Sequence, residues 1–398
     1  SIFVCLKGEN FDGNSFATQA LDAGAAFVIT NRKDLADNPR CIVVDDTLQT
    51  LQQLAKYHRE HLKIPVIGIT GTNGKTTTKE LVSAVLAKKY RISFTQGNLN
   101  NHIGVPLTLL SIRPDTEIAI VEMGANHPGE IADLCQLSQP THGIITNIGT
   151  AHIEGFLSQE HIIITKKALY RSVMASQGTL FVNIGDSVLT QDLDYPDIYP
   201  YAIDNDKAKV SGKIIHNDGL LTISLFGRTV QTQLTGAYNL ANMLCAAAVG
   251  CYFDVSEDDI CNALTNYQPS NHRSQVEQRG SNTIIADYYN ANPTSMTAAL
   301  NNLFGIDHPH KVAILGDMRE LGSVSQEEHA RIINLCCEKA VETYFIGSEF
   351  RQHLASAPHS FVDIDAANDY FSKHPISNAL VLVKGSRSIH LEKLSLLQ

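Results

Sequence analysis

Along the chain, short runs of consecutive apolar residues alternate with longer stretches in which apolar positions recur every three or four residues. These are the spacings of buried strands and of amphipathic helices. Apolar runs at 26–29 and 41–44, with a helical stretch at 15–21 before them, outline a small α/β unit. A polar helix at 51–61 follows, and Pro65 opens a new pattern: a run at 66–70 enters a glycine-rich turn and then a helix at 75–88. Strand runs at 118–122 and 143–147 each end in a polar residue, separated by a helix after Pro128, a residue suited to a first helical turn. Strand alternating with helix predicts a parallel sheet covered on both faces. At 219–225, Thr222 and Ser224 alternate with apolar neighbours, which predicts an antiparallel flank, and 239–252 reads as an apolar helix. After Pro269, strand runs recur at 283–287, 311–315, 343–346 and 379–383 with helices between them, as in a doubly wound unit.

The expected fold is therefore α/β with three domains: 1–63, then 64–270 as a central P-loop parallel-sheet domain with an antiparallel flank, then 271–398 as a C-terminal doubly wound, Rossmann-like domain. Length agrees, because 398 residues exceed one ordinary core at roughly 150 residues per domain. The longest apolar runs, such as 379–383, fall far short of the roughly 20 residues needed to span a bilayer, so no membrane span is expected. The chain opens at Ser1 without an initiator Met and without a basic segment before a long apolar stretch. It does not read as a secretory signal, and its true start is expected upstream. The 8 Cys are scattered, in neither a disulfide framework nor zinc spacing, which points to a reduced, cytoplasmic setting. A formal charge of -10 argues against nucleic acid as a partner. Anionic substrates must then be met by local lysines, helix N-termini and metal ions.

The turn supplies such a place. Gly71, Thr72, Asn73, Gly74, Lys75 and Thr76 lie between a strand and a helix, where unsatisfied backbone N–H groups and the helix dipole converge on an anion. Lys75 is positioned to reach the β and γ phosphates of a nucleotide, and the Thr76 hydroxyl to face a magnesium ion. The loop departs from a standard Walker spacing, with Ile69 where glycine is usual. Glu122 ends the next strand, and ligands of open α/β sheets gather at the carboxyl ends of strands. A carboxylate there can hold magnesium, and His152, after the strand run at 143–147, is expected at the same edge. His127 and Glu130 read as helix-entry residues, because a carboxylate in a first turn suits the helix dipole.

With the loop, Glu122 and His152 in place, the chain resembles the Mur ligases. Within that family it is most similar to the branch that joins D-alanyl-D-alanine to UDP-N-acetylmuramoyl tripeptide in peptidoglycan precursor synthesis. The stretches that carry the resemblance are 6–13 (LKGENFDG), 97–101 (GNLNN) with 104–106 (GVP), 122–127 (EMGANH), 151–156 (AHIEGF), 289–293 (YNANP) and 315–318 (LGDM). They span nearly the whole chain.

The resemblance implies an ATP-dependent ligase in which the first domain holds the uridine nucleotide, the central domain holds ATP and the third closes over both. It implies that Lys75, Glu122, His152 and Lys166 are catalytic. Thr76, Glu122, His152 and a carbamylated Lys166 would hold two Mg2+ ions, the carbamate drawn from carbon dioxide. Its ATP contacts would come from the loop and Thr77, from Asn239 and Asn242, and from Arg273, Asp287 and Asp317 of the third domain. Substrate contacts would come from Lys7, Asn10, Phe11 and Asp12, from Thr95, Asn98, Asn100 and Asn101, and from Tyr289, Asn290 and Asn292. Two departures stand out: the family usually has Lys-Gly-Glu where this chain reads Lys166-Lys167-Ala168, and it usually carries a further segment upstream of residue 1. The expected partners are the muramoyl tripeptide and the dipeptide, acted on by a monomer. The residues leave open another amino-acid-adding Mur ligase, a folylpolyglutamate synthetase-like ligase, and, in another class, a nucleotide switch or a degenerate homologue that does not ligate.

Overall fold

The computed structural model describes residues 1–149, 153–156, 158–270, 272–354 and 359–397, with backbone alone at 153 and 154. Its strands are β1 (Ile2–Val4), β2 (Phe27–Thr30), β3 (Cys41–Val43), β4 (Val66–Thr70), β5 (Ile92–Phe94), β6 (Ile118–Glu122), β7 (His142–Ile145), β8 (Thr179–Asn183) and β9 (Ile198–Ile203). They continue as β10 (Val210–Asp218), β11 (Leu220–Leu225), β12 (Arg228–Gln231), β13 (Gln275–Arg279), β14 (Asn282–Asp287), β15 (Lys311–Gly316), β16 (Glu342–Ile346), β17 (Ser360–Phe361) and β18 (Leu380–Lys384).

Three sheets result. The first is β1-β2-β3, parallel, with a small core of Cys5, Ala17, Leu21 and Val28. The second runs β12-β11-β10-β9-β8-β7-β4-β6-β5. It is parallel from β5 to β10 and ends in two antiparallel pairings, β10 with β11 and β11 with β12. The third runs β13-β14-β18-β15-β16-β17, parallel except for the antiparallel edge strand β13. This is the α/β class expected, including the antiparallel flank.

The central strands are apolar at nearly every position because helices cover both faces. Ile67 and Ile69 of β4 point into one core with Leu81 and Val85 of the helix Lys75–Leu86, whereas Val66 points into the other with Leu109 and Leu134. The period-2 alternation of a strand thus feeds two cores. β4 lies between β6 and β7, so the strand order reverses around it and a crevice opens at its carboxyl end.

The helix Thr47–His61 joins the first sheet to the second. Its Arg59 is buried, donating from Nε to Ser138 O at 2.8 Å, from Nη2 to Gln139 O at 2.8 Å and from Nη1 to Leu62 O at 3.0 Å. The guanidinium thereby closes the carboxyl end of the helix Glu130–Ser138, whose last carbonyls have no partner within the helix. That helix begins two residues after Pro128, with Gly129 at its cap, so Pro128 precedes the first turn and does not form it. Among the described residues no helix is long and apolar enough to cross a membrane.

Candidate active site

The loop between β4 and the helix Lys75–Leu86 is shaped by two glycines with positive φ, Gly71 at 145° and Gly74 at 80°. A β-carbon on Gly71 would lie 2.0 Å from Thr146 Oγ1, and one on Gly74 would lie 2.7 Å from Asn242 Oδ1. Only glycine fits either place. From the end of β7, Asn147 Oδ1 accepts the Asn73 N–H at 3.1 Å, while Asn147 Nδ2 at 2.9 Å and the Thr146 hydroxyl at 2.6 Å donate to Asn73 O. The loop is therefore held from β7 and not only by its own helix. Lys75 Nζ donates to Gly71 O at 2.8 Å and Thr72 O at 3.0 Å, closing the loop on itself. Burial pushes this ammonium down to about 8, with Glu122 opposing the shift and Arg273 adding to it.

Glu122 sits at the carboxyl end of β6 and is 1% exposed. Its Oε1 accepts the Thr76 hydroxyl at 3.2 Å and Asn100 Nδ2 at 2.8 Å. Its Oε2 is buried without a hydrogen-bond partner among the described residues. An anionic oxygen left so costs several kcal/mol unless a cation meets it. This donor set, one carboxylate and a threonine hydroxyl beside a phosphate loop, fits Mg2+, which is commonly held by one or two carboxylates plus substrate phosphates. Among the described residues no group of three or more His, Cys, Asp and Glu gathers into an all-protein metal cage.

A cavity of about 1010 Å³ opens on these groups. From the central unit it is lined by 72–77, Asn98, Asn100, Asn101, Glu122, Asn147, Asn239 and Asn242, and from the third unit by Arg273, Asp287, Tyr289, Asn290 and Asn292. Asn292 Nδ2 donates to Asn73 Oδ1 at 2.8 Å, and the Tyr238 hydroxyl lies 2.7 Å from Ser274 Oγ, so the two units meet at the loop itself. The Arg273 guanidinium stacks 3.9 Å over the Tyr289 ring. Glu130 accepts the N–H groups of Asn126 at 2.6 Å and His127 at 2.9 Å, the helix-entry role expected of it.

Other expected residues lie elsewhere. Asp317 is fully buried and faces away from the cavity: its Oδ2 and Oδ1 accept the N–H groups of Glu349 and Phe350, each at 3.1 Å, at the start of the helix Ser348–Leu354. It caps a helix. Thr95 is also fully buried, its hydroxyl oxygen accepting the Glu122 N–H at 3.0 Å, so it braces Glu122 from behind. Lys7, Asn10, Phe11 and Asp12 lie on the first sheet's loop outside the cavity, with Asp12 capping a short helix through Asn14 N at 2.9 Å. His152 falls outside the described residues. Lys166 is 3% exposed and outside the cavity lining, its Nζ 5.8 Å from the Phe156 ring centroid. Burial, with Lys75 adding repulsion, holds its ammonium well below the usual lysine value.

Sequence reasoning missed Asn147 and Lys384. Lys384 Nζ donates to Asp287 Oδ2 at 2.7 Å and Asn290 O at 3.2 Å, and it follows from register, since Asp287 and Lys384 are paired neighbours on β14 and β18. Lys384 ends β18 and Asn147 lies two residues beyond β7, both at the crevice. The rule that singled out Glu122 would have found them.

Comparison with known proteins agrees with this geometry. The family model described as the Mur ligase middle domain matches residues 69–250, and that described as the Mur ligase, glutamate ligase domain matches 272–387. The UDP-N-acetylmuramoyl-tripeptide--D-alanyl-D-alanine ligase of Bacillus subtilis (strain 168) is 34% identical over 99% of this chain and 89% of its own length. Its counterpart in Escherichia coli (strain K12) is 30% identical over 98% and 89%. Among solved structures, MurF from Acinetobacter baumannii superposes with a TM-score of 0.88 at 31% identity, over 99% of this chain and 89% of that one. MurF ligase from Thermotoga maritima in complex with ADP gives 0.86 at 26% identity, over 100% and 93%.

Proposed function

The chain belongs to the Mur ligase family, and from that premise we infer which of its groups carry the reaction. It is an ATP-dependent ligase that adds D-alanyl-D-alanine to UDP-N-acetylmuramoyl tripeptide in peptidoglycan synthesis. The observation that carries the assignment of groups is the buried Glu122 Oε2 beside the phosphate loop, without a partner among the described residues, in one cavity with the third unit's Arg273 and Asp287.

The γ-phosphoryl group of ATP passes to the terminal carboxylate of the tripeptide, giving an acyl phosphate and ADP. The amine of the dipeptide then attacks the acyl carbon, and phosphate leaves as the amide forms. No protein nucleophile is required, so the chain's work is positioning and charge. The loop amides and Lys75 hold the transferring phosphates, Asn239 and Asn242 face the nucleoside side, and Arg273 reaches across from the third unit. Asn98, Asn100 and Asn101 face the muramoyl nucleotide, and Tyr289, Asn290 and Asn292 face the dipeptide. Closure of the third unit keeps water from the acyl phosphate.

Thr76 and Glu122, with His152, would hold Mg2+, two ions being expected. Magnesium supplies neutralisation of charge on the phosphate oxygens. Lys166 is suited to carbamylation, because burial favours the free amine that carbon dioxide requires, and the resulting anion can face cations. We assign 1–63 to the UDP end of the substrate, 64–270 to ATP and 271–398 to the closing unit. The working form is a cytoplasmic monomer.

The test is phosphate release from ATP with the tripeptide nucleotide and the dipeptide each omitted in turn. Release that needs both is expected. Turnover indifferent to the dipeptide would overturn the reading in favour of a nucleotide switch.

A further inference from the structure

The helix Pro293–Gly305 of the third unit touches the central unit near both ends. At its start, the cap residue Asn292 bonds Asn73 of the phosphate loop. Nine residues beyond Pro293, a span of roughly 13 Å along the helix, Asn302 is 7% exposed and lies outside the cavity. Its Nδ2 donates to Thr235 Oγ1 at 2.9 Å, and its Oδ1 accepts Asn217 Nδ2 from β10 at 3.1 Å.

Thr235 is fully buried, and its carbonyl accepts Asn239 Nδ2 at 2.7 Å. Asn239 Oδ1 accepts Asn242 Nδ2 at 2.9 Å, and Asn242 Oδ1 accepts the Thr78 hydroxyl at 3.1 Å. Thr235 joins two sets of buried hydrogen bonds, its hydroxyl meeting Asn302 of the third unit and its backbone carbonyl meeting the asparagine pair that reaches the helix after the phosphate loop. Every amide in them has a fixed direction, since reversing any one would oppose donor to donor or acceptor to acceptor. Asn242 is also the residue against which Gly74 packs. The two asparagines that face the nucleoside are therefore oriented from behind, by a residue that never meets ATP.

We infer that Asn302, acting through Thr235, is a positioning residue of the ATP site: docking of the helix Pro293–Gly305 fixes the side chains of Asn239 and Asn242 in the orientation that binds nucleotide. The inference rests on the ligase reading only in naming ATP as the ligand. Without Asn302, the Thr235 hydroxyl loses the partner that ties it to the third unit, and the Thr235 carbonyl that orients Asn239 is no longer held in place from that side. Asn292 still anchors the other end of the helix, so the third unit can dock without ordering the pair.

The experiment measures the dissociation constant of a non-hydrolysable ATP analogue by calorimetry on the full chain, for Asn302→Ala, Thr235→Val, Thr235→Ser and the Asn302→Ala/Thr235→Val pair. Loss of one buried hydrogen bond predicts weakening of about fivefold in each of the first two variants. The double variant should be no weaker than either, because both remove the same contact. Thr235→Ser keeps the hydroxyl and should bind as the unaltered chain does. Thr235→Val is nearly isosteric and serves if Asn302→Ala does not fold. Unchanged analogue affinity in a folded single variant, or additive losses in the pair, would overturn the inference. The unaltered protein's dipeptide-dependent phosphate release, assayed beside it, reports separately on the ligase reading.

Discussion

The Thr76 hydroxyl donates to Glu122 Oε1 at 3.2 Å, and Oε2 stays buried with no partner among the described residues. The loop of one strand and the terminus of its neighbour thus meet at a single carboxylate, half satisfied by protein and half open to a cation. Glu122→Gln keeps the shape and removes the charge. Ligation should fall by on the order of 10² to 10³, the loss typical of a single electrostatic group at a reacting centre. Coupled phosphate release at saturating ATP, titrated with Mg2+, checks it; a variant with unaltered rate and Mg2+ dependence would remove Glu122 from the reaction.

Lys75 titrates near 8 in the nucleotide-free protein. A bound triphosphate favours the ammonium and raises that value, so nucleotide binding should take up about one proton in the window above pH 8, and affinity should decline as pH rises through it. Calorimetry at pH 9 in two buffers of different ionisation enthalpy reads this directly. Stability moves the opposite way. Between about 8 and the ordinary lysine value the unfolded chain holds the proton that the folded chain has lost, so folding without nucleotide gains with rising pH.

Lys166→Ala should abolish most ligation, and added formate or acetate should restore part of it by standing in for the lost carbamate anion. Lys166→Glu offers a second anion at the same place. Full activity of Lys166→Ala without any added acid would show that the lysine carries no carbamate in the reaction.

Arg59→Met should destabilise the protein by roughly 2–3 kcal/mol, since three carbonyls lose a charged donor in a buried place. Urea unfolding followed by circular dichroism measures it. The KM for ATP should stay as it was, because Arg59 lies outside the cavity.

Much of this was legible in the sequence because strand, glycine turn and helix form a local pattern: the run at 66–70 coincides with β4, and the following helix begins at Lys75 as expected. Direction was not legible. Asp287 and Asp317 each end or follow a strand of the third sheet, yet Asp287 opens on the cavity while the amides after Gly347 capture Asp317. Thr95, a substrate contact by resemblance alone, is instead buried behind Glu122, because a matching motif does not say which side its residues face. β9 was hidden by Pro200, a residue that usually argues against an inner strand, although Pro200 here pairs with Val182. Asn302 carried no signal at all, because nothing local marks a polar residue that bonds across to β10 and Thr235.

The two loop glycines bear on any compound meant to block the enzyme. A molecule resting over Gly74 would press on a place where the chain cannot add even a methyl group without striking Asn242, and the neighbouring turn is closed to change by Thr146 against Gly71. Resistance by substitution at the point of contact would cost the cell the loop itself, so escape variants should arise at the cavity's rim.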